Sequence, residues 1–154
     1  MYEWALFFHL IGAMLFFAGL AVAAVGQTAA QRRSRPSEIA LLLRTARVGV
    51  AMVGVGTLLT VGFGLWLVDL TGYGLDGWVL AALALLAFAL GAGAAGGQPS
   101  KRARRLADAH AHANDSPSPE LQSLLRHRTA AVLNWAAAAA AVAILVLMVW
   151  KPGA

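Results

Sequence analysis

The four longest apolar runs of this 154-residue chain hold one ionisable side chain between them, His9. Ionisable groups are expensive to place inside a membrane, so they mark functional sites by default. His9 lies five residues past Trp4, which is about 7–8 Å along a helix. An imidazole at that depth has three uses: a neutral hydrogen bond to a neighbouring helix, ligation of a haem or metal ion, or proton handling. A haem needs axial ligands at compatible depth. His110, His112 and His127 fall in polar sequence, most of a membrane thickness away. Met148 and Lys151 lie closer in depth to His9. The candidate cofactor-binding set is therefore His9, Met148 and Lys151, with His9 as the candidate metal ligand. A second subunit is the other source of a ligand, and Met148 reads more readily as simple packing.

Other polar groups carry weaker signals. Asp108-Ala109-His110-Ala111-His112-Ala113-Asn114-Asp115 has a metal-like composition. Residues two apart on a helix point about 200° apart, so the two histidines would need an extended segment to converge. Asn134, Thr57 and Thr60 read as hydrogen-bonders between helices. There is no cysteine, which excludes disulfides, thiolate-bound zinc, iron–sulfur clusters and cysteine nucleophiles. No phosphate-binding glycine loop, nucleophile elbow or carboxylate pair is present.

The elements that must position His9 follow from composition. Sixty per cent of the residues are hydrophobic and 12% are charged, against about 25% charged in a soluble domain. A spanning helix needs about 20 apolar residues. Four runs qualify, at about 4–25, 48–68, 78–97 and 129–150. A barrel would need alternating polarity, and none is seen. Ala21-Val22-Ala23 resembles a signal cleavage site. However, Glu3 and no basic residue precede the run, and the run is too long for a signal core, so it is expected to be retained. The reading is a single membrane domain over residues 1–154, all-α, a four-helix transmembrane bundle built as two helical hairpins.

Eleven of the twelve basic residues fall in two stretches, 27–47 and 98–128. The positive-inside rule makes these cytoplasmic loops and puts both termini outside, as expected for a bacterial inner membrane. Tyr2, Trp4, Trp66, Tyr73, Trp78 and Trp150 then form an aromatic belt at the outer interface. The basic stretches read as membrane flanks, so no nucleic-acid partner is expected. Lys101 to Ala113 is expected to form a short helix on the membrane surface. Pro36-Ser37-Glu38-Ile39 and Ser118-Pro119-Glu120-Leu121 repeat at an offset of 82 residues, and Ser37 and Ser118 are expected to cap helix starts.

Packing is expected to be tight. Gly12, Gly19 and Gly26 recur every seven residues, with Ala5 one heptad earlier and His9, Phe16 and Ala23 between. The stripe puts His9 on the small-residue face, pointing into the bundle. Gly49, Gly56, Thr60 and Gly64 form a related stripe; Gly91 and Gly93 serve the third span and the alanine run 136–141 the fourth. Small residues allow close helix approach, so Gly12, Gly19 and Gly26 are also candidates for a homo-oligomer or membrane-complex interface. Little polar surface remains to line a transport path.

Phe8-His9-Leu10-Ile11-Gly12-Ala13 with Phe17-Ala18-Gly19 resembles helix 1 of an uncharacterised bacterial membrane family, the domain-of-unknown-function 2269 group. Thr60 with Gly62-Phe63-Gly64-Leu65-Trp66-Leu67 resembles its second helix. Leu147-Met148-Val149-Trp150-Lys151-Pro152-Gly153 is similar to its closing pattern. The resemblance implies four helices over essentially the whole chain and no established activity. More distantly, His9 and the Gly-bearing stretch after it look like helix 1 of the four-helix protoporphyrinogen oxidases and of the CopD-type copper proteins. The first of these implies haem b at His9. The third span has no lysine and the spans are poor in Met and His, departures from both patterns. Two functions are weighed: a small haem- or metal-binding redox protein using His9, and a non-catalytic accessory or assembly subunit of a membrane complex.

Overall fold

A computed structural model describes residues 1–72, 76–113 and 115–151. Tyr73, Asn114, Pro152 and Gly153, used above, lie outside the described residues. The chain is all-α, with no strand among the described residues. Its elements are α1 (Tyr2–Gln31), α2 (Pro36–Thr71), α3 (Gly77–Gly96), α4 (Gln98–Ala113), α5 (Pro119–Leu125) and α6 (Arg128–Trp150). Four helical stretches are long and apolar enough to cross a membrane: Tyr2–Gln31, Pro36–Thr71, Gly77–Ala113 and Pro119–Trp150. They pair in chain order as two hairpins, α1 with α2 and α3 with α6.

In the first hairpin, the stretch 27–47 is mostly helix. Only Arg32–Arg35 lies outside α1 and α2. At 1.5 Å per residue the two helices run about 45 and 54 Å, against a hydrocarbon core of about 30 Å. Arg44 and Arg47 therefore ride on α2, while Arg32, Arg33 and Arg35 lie in the short turn between the helices. Arg33 Nε lies 3.7 Å from Glu38 across the turn.

The helix starts differ from the capping expected. Ser118 does cap α5: its Oγ accepts the Leu121 N–H at 3.5 Å, and Pro119 fills the first helical position. In α2 the helix already begins at Pro36, so Ser37 sits inside the first turn and cannot be the cap. Asp115 serves instead. Its carboxylate accepts the Ser37 N–H and the Ser37 hydroxyl, each at 2.8 Å. Asp115 has φ 47°, a left-handed conformation that Asp tolerates better than most residues.

In the second hairpin, α3 runs into α4 through Gly97, whose φ of −78° and ψ of −13° are helical. Gly97 donates to Gly93 and accepts from Lys101, which carries the helical bonding across the junction. Residues 101–113 are helical, as expected, within α4, which continues directly from the end of α3. Ala103 and Ala107 are buried on α4, as are Leu121 and Leu125 on α5, which packs against α4. Arg126 and His127 then break the helix before α6, because His127 is extended at ψ 111°.

Candidate functional site

The stripe on α1 faces α2 of the same hairpin. Ala5, Gly12, Phe16, Gly19 and Gly26 are buried, and His9 is half-buried. The glycines are sites of backbone contact. A Cβ placed on Gly19 would lie 2.6 Å from the Gly49 carbonyl oxygen, and one on Gly49 would lie 2.6 Å from the Gly19 carbonyl. One on Gly56 would lie 2.5 Å from the Phe16 nitrogen and 2.7 Å from the Gly12 carbonyl. The hydrogens that replace these Cβ atoms point at carbonyl oxygens across the interface. Such Cα–H···O contacts recur where helices pack this closely. Gly26, against Leu42 and Ala46, is the last rung before the turn.

This corrects the use expected of Gly12, Gly19 and Gly26. They are covered by α2 of their own hairpin, so they are not a surface for another chain.

His9 completes the same interface. Its Nδ1 lies 2.8 Å from the Thr60 carbonyl oxygen on α2. A carbonyl only accepts, so Nδ1 carries the proton and, in the neutral ring, Nε2 keeps the lone pair. Gly64 makes the reach feasible: a Cβ there would lie 3.0 Å from both Nδ1 and Cε1 of the ring. Aromatic rings surround this end of the hairpin. Phe8 stacks on Phe63 at 4.9 Å and on Trp4 at 6.2 Å, and Phe63 lies 6.0 Å from Trp66.

Thr60 differs from four of the other threonines. Thr28, Thr45, Thr57 and Thr71 return their hydroxyl to the carbonyl four residues earlier. The Thr60 Oγ1 is buried without a hydrogen-bond partner among the described residues. It faces the Gly12 backbone, 2.8 Å from where a Cβ would stand. A Cα–H contact takes the place of the back-bond there.

Met148 and Lys151 belong to the second hairpin, whereas the hydrogen-bonding and packing partners described for His9 lie in the first. Met148 is half-buried on α6. Lys151 caps α6 in a left-handed conformation, with its N–H on the Leu147 carbonyl. Its ammonium lies 5.7 Å from the centroid of the Trp78 ring at the start of α3. That is cation–π distance, and it gives Lys151 a structural role at the mouth of this hairpin.

Asn134 packs against Gly96: its Oδ1 occupies the space a Cβ would need. Gly91, expected at the interface, meets nothing within 4 Å, and Gly93 only touches Ala137. The seam is instead built from Ala89, Ala92, Ala137 and Ala140, with Leu85 and Leu133 alongside. His110 and His112 sit on the helical α4, two residues apart. No group of three metal-ligating side chains forms among the described residues.

Two features escaped the sequence reading. The Thr60 carbonyl is backbone and has no residue-type signal. Asp115 lies 78 residues from Ser37 in the chain, so no local sequence pattern marks it as the cap of α2.

Four apolar spans in an all-helical chain define an integral membrane protein. The family model described as "Predicted integral membrane protein (DUF2269)" matches residues 4–152, and the chain belongs to that family. No curated protein and no solved structure matches it.

Proposed function

We propose that the chain is a non-catalytic accessory or assembly subunit that docks other membrane helices. The observation that carries this reading is where the polar and small residues of the first hairpin are used. His9 is held by the Thr60 carbonyl, and the glycine stripe is covered by α2. Both serve closure of the hairpin itself. A side of α3 rich in small residues is exposed, with Ala84, Ala87, Gly91 and Ala95 along it and Phe88 among them. Faces of this kind let a partner helix approach closely. The distribution of Lys and Arg supports a bacterial inner membrane with both termini outside.

The chain lacks cysteine, so Gly91→Cys supplies a unique cross-linking handle. A cross-linked product from native membranes is expected, together with a smaller complex in mild detergent for Gly91→Leu. A wild-type chain that migrates alone, with a Gly91→Cys chain that gives no cross-link, would overturn the reading.

A second reading, a haem at His9, is favoured by one observation. With Nδ1–H donated to a carbonyl, Nε2 is oriented and basic, as in ligating histidines generally. The first hairpin offers one imidazole, which suffices for one axial bond to haem and falls short of a metal-ion cage. A bound haem would supply one-electron chemistry, and His9 would hold and orient it. Oxidised and reduced absorption spectra of the purified chain test this. A Soret band lost in His9→Ala supports it, and a featureless spectrum removes it.

A further inference from the structure

The exposed side of α3 does not stop where the span ends. Ala84, Gly91, Gln98, Arg105 and His112 recur every seven residues from α3 into α4, and all are exposed. Ala95 and Arg102 lie between them on the same side and are exposed too. The helical bonding is carried through Gly97, so these residues form one continuous stripe. From Ala84 to His112 it is about 42 Å long. A seven-residue repeat is the spacing that holds one helix face against a second helix, because the pair supercoils to keep it in register.

The chemistry changes along the stripe. The 20 residues of α3 span about 30 Å, which matches the hydrocarbon core. Within that length the stripe is small and apolar. Arg102 and Arg105 follow the end of α3 by about 9 and 14 Å of helix, whereas the headgroup layer is about 5–8 Å deep on each side. The main chain has therefore passed the lipid surface where the two cations arise. No acid lies on the stripe. Asp108 is half-buried to one side of it and pairs with Arg104 at 3.6 Å. Arg102 and Arg105 have no ion pair among the described residues. Lys101, also exposed, stands four residues before Arg105, and like charges at that spacing destabilise a helix.

A second copy of the chain does not fit here. Two copies in one membrane pair about a two-fold axis, which sets the same patch against itself. Arg102 and Arg105 of one copy would face those of the other, and like charges across an interface reject a partner. We infer that the helix docking on this side belongs to a different protein and carries Asp or Glu side chains about one to three turns beyond its own span, against Arg102 and Arg105. The inference rests on the docking reading above and names the chemistry of its partner. The apolar half of the stripe allows close approach, and the charged half selects the partner and fixes its register.

Zero-length carbodiimide coupling tests this, because it joins an amine only to a carboxylate in contact with it. Arg102→Lys/Arg105→Lys keeps the charges and supplies the amines. Coupling in native membranes should link these positions to an acidic residue of another protein, just past an apolar span, as read by mass spectrometry of the linked peptides. Arg126→Lys/Arg128→Lys, exposed in the same basic stretch but off the stripe, should add no such product. Arg102→Gln/Arg105→Gln should lower the Gly91→Cys cross-link about tenfold at low salt, since exposed ion pairs each count for about 1.5- to 5-fold, and less at high salt. Coupling to a second copy, or equal coupling in the Arg126/Arg128 control, would overturn the inference. So would an absence of coupling while Gly91→Cys still cross-links, which leaves the docking reading standing; loss of both products removes that reading as well. Selective phosphatidylglycerol retention that depends on Arg102 and Arg105, without a carbodiimide product, would assign the cations to lipid and overturn it too.

Discussion

The two hairpins bring their helices together by different means. In the first, α1 and α2 meet backbone to backbone: glycine faces glycine, and the hydrogens on Cα point at carbonyl oxygens. In the second, α3 and α6 meet through methyl groups, with alanine against alanine. The closer approach has a consequence for polar groups. In the first hairpin α2 is near enough for a side chain on α1 to reach a main-chain carbonyl, and His9 does so. In the second, the polar side chain Asn134 fills a notch left by one glycine, Gly96. Close packing thus turns His9 into a latch. In lipid there is no hydrophobic drive between helices, so such contacts carry the association.

The largest expected effect breaks the backbone-to-backbone seam. Gly56→Ala puts a Cβ against the Phe16 nitrogen and the Gly12 carbonyl, neither of which can rotate away. Overpacking of this kind should destabilise by about 1–3 kcal/mol, read as a lower thermal midpoint in detergent. Gly93→Ala in the other hairpin, with its nearest neighbour at 4.0 Å, should be neutral or stabilising by up to about 1 kcal/mol, since alanine favours the helix. Equal losses at both positions would erase the contrast between the hairpins.

Next in size is Gly96→Ala. It should cost about 1–2 kcal/mol, because a Cβ there collides with the Asn134 amide and approaches the Ala130 carbonyl at 3.1 Å. Adding Asn134→Ala should recover much of that loss, because the amide is the nearer obstacle. A double-mutant cycle with no coupling would show that the backbone decides.

His9→Ala should cost less, about 0.6–1.7 kcal/mol, the range for a hydrogen bond between membrane helices. His9→Asn, which can still donate, should keep part of it. A loss well above this range would point to a bound group at His9 rather than a latch.

The smallest effect lies in the polar region. The Ser37 backbone N–H and then the Ser37 hydroxyl hold the Asp115 carboxyl below its ordinary value of 3.8, with Arg35 adding to the same direction. A lowered folded value means that the ionised form favours the fold. The contribution is complete above about pH 3.8 and is lost as pH falls through the lowered value. Asp115→Asn should therefore remove a small acid-dependent component of stability, visible only below that pH. An unchanged acid titration of stability would show that the capping contact contributes nothing.

Much of the fold was legible because a bilayer admits few solutions. Four apolar runs of about 20 residues must be helices, and short connections make sequential helices neighbours. The seven-residue spacing of Gly12, Gly19 and Gly26 showed which face of α1 is buried, and it put His9 on that face. Composition alone excluded thiol chemistry. The sequence could not say what covers the stripe. A small-residue face serves a neighbour in the same chain as well as one in another chain, and only the pairing of α1 with α2 decided between them. It could not name the partner of His9, because every residue carries a carbonyl and residue type does not distinguish Thr60. Nor could it choose Gly96 over Gly91, because that depends on the register between α3 and α6. Residue types and periodicity set which surfaces are buried; the separation and register of the packed helices decide which atoms meet there.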